Sequence, residues 1–251
     1  MPRDAASAVP LPAYREVTPA APLRVGLACA WTYQASSRPA AEVLVIPDGC
    51  VDLIWAGDEV FVAGPDPVAQ PASIAPGALL AAVRFAPGAA QAFLGVPLHV
   101  IAGQRVALRD LWGRRARHLT HALVLDAVDP AERLRSLQQA VARQGPPVPD
   151  PAMRTLFARL DHPEATPSAR LAREFDISER SLRRRCHDAF GYGPKTLARI
   201  LRLQRFLRAP ADLPLLRRAL EAGYGDASHL VRDTRLLTGL TPTGLLAQRH
   251  R

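Results

Sequence analysis

The sequence predicts an α+β multidomain chain. Residues 1–112 read as a β-rich domain, a small sheet or barrel; residues 113–149 as a helical connector; and residues 150–251 as an all-α domain of two helix-turn-helix units joined by a long helix. Three observations predict this. Short apolar runs alternate with Gly, Pro and Asp turns up to about residue 85, the proline-rich tract GPPVPDP stands at 145–151, and the chain beyond it repeats itself at an offset of 48 residues.

The runs VGLACAWTY, EVLVIPDGC, VDLIWAG, EVFVAG and LLAAVRF, rich in β-branched and aromatic residues, predict the strands of the first domain. APGAAQAFLG and VALRDLWG read as short helical pieces, and the connector continues through LTHALVLDAV and PAERLRSLQQAVARQG. Leu119, Leu123, Leu125, Leu134, Leu137 and Val141 supply an apolar seam there. It serves equally a second copy of the chain or the first domain. GPPVPDP resists both helix and sheet, so it marks the domain boundary.

Charge divides along the same line. Residues 1–112 carry 7 basic and 9 acidic side chains, 113–149 carry 6 and 3, and 150–251 carry 19 and 11, so almost all of the net +9 sits in the last hundred residues. Coding bias explains why 31 of the 32 basic residues are arginine, but not why only one half is basic. A basic module beside a near-neutral domain fits a polyanion partner. The N-terminus lacks an apolar run of signal-peptide length, and the most apolar stretch, around 77–102, is broken by Arg84, Pro87 and Pro97, so a soluble cytoplasmic protein without a membrane partner is expected. Three cysteines, Cys29, Cys50 and Cys186, cannot all pair and show no zinc spacing.

SERSLRRRCHDAFG, residues 178–191, places four arginines in six positions. At about 100° per residue Arg180, Arg183, Arg184 and His187 share one helix face, while Leu182, Cys186 and Ala189 share the opposite one. Ser178 is the expected N-cap and Gly191 the stop. In the repeat, Ser178, Leu182, Arg184, Gly191 and Pro194 fall over Asp226, Leu230, Arg232, Gly239 and Pro242. Each copy follows a helix with a small residue, Ala172 or Ala219, where two helices cross closely. PKTLARILRLQRFLR (194–208) then forms the connecting helix. About fourteen residues at 1.5 Å each span roughly 21 Å, enough with the flanking units to approach the roughly 34 Å of one DNA turn.

These residues resemble the DNA-binding module of the AraC/XylS family of bacterial transcription regulators. The resemblance covers roughly 152–250 and rests on LAREFDISERSLRRRCHDAFGYGPKTLARILRLQRFL and the second-copy pattern A-x3-G-Y-x-D-x-S-x-L-x-R-x6-G-x-TP. It implies two recognition helices in adjacent major grooves, with Arg180, Arg183 and Arg184, joined by His187, in the first and Ser228, His229 and Arg232 in the second. Arg185, Lys195 and Arg235 are expected on phosphates. The implied partners are double-stranded DNA at a promoter or operator, a small-molecule effector, RNA polymerase and a second copy of the chain. Asp176 stands where a glycine is common, Thr234 and Leu237 replace aromatic or basic residues, and the second copy's outer face is less charged. Tyr14, Cys29 with Trp31, IPDGCVDLIW, RFAPG and LRDLWG resemble an uncharacterised domain often found ahead of this module, which implies a sensing or dimerising role.

Other readings compete. The arginines would form a solvated face without a partner if the module were not basic throughout. Cys29 and Cys50 are the weak effector-site candidates, as a thiol pair or with His99 or Asp52 around a metal, against packed thiols. Trp31, Trp55 and Trp112 read as core rather than a ligand cage. Nucleophile elbow, Walker loop and HExxH are all missing, so neither an enzyme nor a cofactor is expected. An alkyl-repair regulator with Cys50 as acceptor lacks the four thiolates of a structural zinc. A non-specific nucleic-acid binder would interleave exposed aromatics among its basic residues.

Overall fold

The computed structural model describes residues 13–36, 43–121, 123, 129–145, 147–164 and 166–249. The first domain is a six-stranded antiparallel sheet in the order β1-β2-β7-β4-β5-β8, with a separate β3-β6 ribbon. The strands are β1 (Ala13–Val17), β2 (Leu27–Gln34), β3 (Val43–Val45), β4 (Asp52–Ala56), β5 (Glu59–Ala63), β6 (Gln70–Ala72), β7 (Leu79–Phe85) and β8 (Arg105–Ala107). Ala56 pairs with Glu59, so β4 and β5 turn on Gly57 and Asp58 alone. Gly57 takes the positive φ of +59° that such a two-residue turn requires.

The two sheet faces differ. Val60 and Val62 of β5 point to one side, where Leu53, Trp55, Val83 and Phe85 meet Phe93, Leu98 and Leu108 in the main core. Phe61 and Ala63 point to the other, with Trp31, Ile54, Ala82 and Leu80. Between this second face and the β3-β6 ribbon lies a cavity of about 700 Å³.

Helices α1 (Ala90–Leu94), α2 (Leu108–Trp112), α3 (Arg114–Thr120) and α4 (Pro130–Arg143) follow. Asp129 caps α4 by accepting from the Ala131 amide, and Pro130 opens it. Leu134, Leu137, Ala140 and Val141, at helical spacing, pack against β2 and β7. The connector is therefore a layer of the first domain: Leu119, Leu123, Leu134, Leu137 and Val141 are buried in its core rather than offered to a second copy. Leu125 lies outside the described residues.

The second core belongs to α5 (Pro151–Leu160), α6 (Ser168–Glu174), α7 (Glu179–Phe190), α8 (Pro194–Arg208), α9 (Leu215–Glu221), α10 (Ala227–Thr238) and α11 (Pro242–Arg249). The end of the proline-rich tract opens α5 instead of resisting it. Asp150 accepts from the Ala152 and Met153 amides, and Pro151 occupies the first turn, where its missing N–H costs nothing.

The domains dock closely. The 46–50 turn seats Gly49 against Phe157, Leu197 and Leu201, and Gln204 Nε2 donates to the Pro47 carbonyl at 2.7 Å. Pro65 lies against Gly191 after α7, and the Ala69 amide donates at 2.6 Å to the Leu237 carbonyl in the last turn of α10. The 64–69 segment thus touches both helical units. Among the described residues, no helix is long and apolar enough to cross a membrane.

Candidate nucleic-acid interface

The internal repeat is a repeat of structure. Glu179–Phe190 and Ala227–Thr238 are twelve-residue helices displaced by 48 positions. Ser178 Oγ accepts from the Ser181 amide, and Asp226 accepts from the His229 amide. Each helix ends on a left-handed glycine, Gly191 at φ +81° or Gly239 at +72°, and a proline opens the next helix. The turns before them match too. The Ile177 amide donates to the Ala172 carbonyl and the Tyr224 amide to the Ala219 carbonyl, each over a residue of positive φ. That residue is Gly223 (+91°) in the second copy and Asp176 (+50°) in the first.

Leu182, Cys186 and Ala189 are buried on the inner face of α7. Arg180, Arg183 and Arg184 are exposed on the outer one, and their side chains make no ion pair or hydrogen bond among the described residues. Ser228, Arg232, Arg235 and Lys195 are likewise exposed and unpaired. Most other arginines of the module are tied down. Arg205 and Arg208 hold Asp161, and Arg218 is buried over the Phe206 ring. Arg199 and Arg202, both from α8, hold the buried Asp233 of α10 at 3.0 and 3.5 Å. Arg154 of α5 and Arg173 of α6 are exposed and unpaired as well, so the unpaired cations of the module are not confined to the two repeated helices.

Three expected contacts sit differently. Arg185 is turned to Asp150 at 2.8 Å and braces α7 against the start of α5. His229 is engaged within the protein, its Nε2 lying 3.2 Å from Arg202 Nη1 and 3.4 Å from Asp233 Oδ2, with its ring edge-on to Tyr224. The i,i+4 spacing of His229 and Asp233 is the sequence signal for that pair. His187 packs against Gly193, and partial burial, then the neighbouring Arg183 and His99, lower its pKa. The ring is therefore neutral near neutral pH.

The cysteines are poor nucleophiles. Burial pushes Cys29 up to about 11, Cys186 up to about 12 and Cys50 well above its ordinary value, leaving all three as thiols at neutral pH. His99 pairs with Asp188 at 3.2 Å. Among the described residues no group of three or more His, Cys, Asp or Glu side chains is placed to hold a metal ion. Trp55 and Trp112 lie in or against the main core, whereas Trp31 lines the cavity, as does Cys50.

Residues 171–248 match the sequence family described as a helix-turn-helix domain, and residues 15–107 match a domain of unknown function, DUF6597. Comparison with curated proteins finds no match. Solved structures of ToxT from Vibrio cholerae are similar to most of the chain. An apo form has a TM-score of 0.45 at 11% identity, covering 95% of this chain and 97% of that one. ToxT of strain O395 gives 0.45 at 9%, covering 87% and 96%, and a form with bound unsaturated fatty acid gives 0.44 at 10%, covering 95% of each.

Proposed function

We propose, from the premise that the C-terminal module is an AraC-type DNA-binding domain behind a DUF6597 domain, that this chain is a sequence-specific transcription regulator. Its two recognition helices, α7 and α10, read adjacent major-groove segments. The observation that carries the reading is the exposed, unpaired row Arg180, Arg183 and Arg184 on a capped helix that the chain repeats 48 residues on. Forked guanidinium donors match guanine O6 and N7, so Arg180, Arg183 and Arg184 select sequence. Ser228 and Arg232 act in the second copy, where fewer charges leave room for apolar contact with thymine methyls. Lys195 and Arg235 hold phosphates, and binding falls steeply with salt. The docked first domain supplies control, since its 46–50 and 64–69 segments rest on the module.

Selection of bound sequences from random duplex DNA with the full chain tests this. Enrichment of two elements about ten base pairs apart is expected. Binding without enrichment would favour a non-specific nucleic-acid binder instead.

A further inference from the structure

We infer that the cavity of about 700 Å³ between the sheet and the β3-β6 ribbon binds an organic cation, a protonated amine on an aromatic or aliphatic body that carries a hydrogen-bond acceptor. Its size suits a small molecule. Trp31, Ile54, Phe61 and Leu80 supply an apolar wall from the sheet, and Val45 and Ile74 face them.

The charges lining it decide the ligand's sign. Three carboxylates, Asp48, Asp52 and Asp66, meet two guanidiniums, Arg84 and Arg105. Arg84 is held by both Asp52, through Nε at 2.9 Å and Nη2 at 3.0 Å, and Asp48, through Nη2 at 3.1 Å. Arg105 is held by Asp66 through two hydrogen bonds of 3.0 and 2.7 Å. Neither cation is free to receive an anion, and one negative charge is left over. Asp52 and Asp66, each 8% exposed, have guanidinium partners of their own, and the surplus falls on Asp48, which shares Arg84 with Asp52 and whose side chain is 31% exposed. Burial raises the Asp52 carboxyl's pKa in spite of Arg84, and the neighbouring Asp48 charge adds to the rise. A ligand cation beside Asp48 and Asp52 supplies the missing charge, and Trp31 and Phe61 in the same lining offer aromatic surface for it.

A second feature of the same wall also points to a ligand. The Trp31 indole is 8% exposed, and its N–H is turned toward the Asp52 carboxylate, whose charge it favours without closing a well-formed hydrogen bond. A buried donor left open costs free energy that a ligand oxygen recovers. Tyr14 leans on this indole, with ring centroids 5.7 Å apart, and stands half exposed at the cavity. Occupancy has a route to the module. Asp48 belongs to the turn seated on α5 and α8, and Asp66 to the segment that touches α7 and α10. The binding itself does not depend on the DNA-reading proposal; its meaning as a signal rests on that reading.

Calorimetry on the full chain at neutral pH, with matched probes, tests the inference. The probes are phenoxypropylamine, phenoxypropanol and phenoxypropionate, and phenylbutylamine, which replaces the ether oxygen by a methylene. The amine is expected to bind about tenfold or more tighter than the alcohol, with the carboxylate weakest. Asp48→Asn, at a side chain 31% exposed and therefore tolerant, should remove that preference and leave the alcohol unchanged. Trp31→Phe should abolish the advantage of phenoxypropylamine over phenylbutylamine. Asp52→Asn is avoided because it strips Arg84 of its buried partner, and thermal melting checks that each variant folds. Equal binding of amine and alcohol, preference for the carboxylate, binding of no probe, or a folded Asp48→Asn that keeps the preference would each overturn the assignment. DNA binding measured on the same preparation separates the two readings. Specific DNA binding without amine binding removes only the cavity assignment, and amine binding without specific DNA binding removes only the regulator.

Discussion

Arg184 and Arg185 are adjacent in the chain and chemically identical, yet one is exposed and unpaired while the other closes a 2.8 Å ion pair with Asp150. The 100° step between successive helical residues makes that difference. Arg184→Ala is expected to weaken binding to the preferred site by about 1 to 3 kcal/mol and to a scrambled duplex much less, as read by anisotropy titration of both DNAs. Equal losses would make Arg184 a phosphate contact. Asp176 is a second residue whose identity conflicts with its backbone. At φ +50° it occupies the position that glycine fills in the other copy. Asp176→Gly should raise stability by about 0.5 to 1 kcal/mol in urea unfolding, because relief of the left-handed strain outweighs the added freedom of the unfolded chain. The sequence made both outward faces legible through helical period alone. It did not show which arginines pair internally, because Asp150 and Asp233 reach them only through the tertiary arrangement of α5, α7, α8 and α10. The contacts of His229 with Arg202 and Asp233 were hidden for the same reason.

At the scale of elements, helices α7 and α10 were readable nearly to the residue, since caps, αL glycines and following prolines are local signals. Strands were less so. The five longer apolar runs contain β2, β3, β4, β5 and β7, but β1, β6 and β8 are short or polar and exist by pairing with a neighbour. The connector's burial was open because an apolar stripe does not name its partner. Asp150 shows how one residue joins elements: it caps α5 and grips α7 through Arg185, while its own amide donates to the Gly88 carbonyl of the first domain. Burial alone would raise its pKa, but the Arg185 bond and charge and the Met153 and Ala152 amides together hold it below the ordinary 3.8. A depressed carboxylate stabilises the fold above the unfolded-state value, and that contribution fades as pH falls through the folded one. The stability gap between the wild type and Asp150→Asn, measured by urea unfolding, should therefore be constant from about pH 7 to pH 5 and shrink below about pH 4.

Across the whole molecule, the repeat offers an internal control on docking. Gly191 and Gly239 end equivalent helices with similar left-handed angles, but a Cβ at Gly191 would stand 2.5 Å from Pro65 Cγ, whereas one at Gly239 meets nothing within 4 Å. Gly239→Ala should cost about 1 to 2 kcal/mol, the strain of the angle alone. Gly191→Ala should cost more in thermal melting and loosen the domain contact, seen as faster proteolysis between the domains. The Ala69 amide completes the picture, since it satisfies a carbonyl at the end of α10 while Pro65, four residues earlier, abuts the end of α7. On the proposed reading, a brace of that kind fixes the stride between α7 and α10. Each base pair inserted between the two half-sites swings one groove face round by about a tenth of a revolution, which a braced pair of readers cannot follow. The wild type should reject such phase-shifted operators sharply, and Ala69→Pro, which deletes the N–H, should tolerate them, trading discrimination in helical phase for reach.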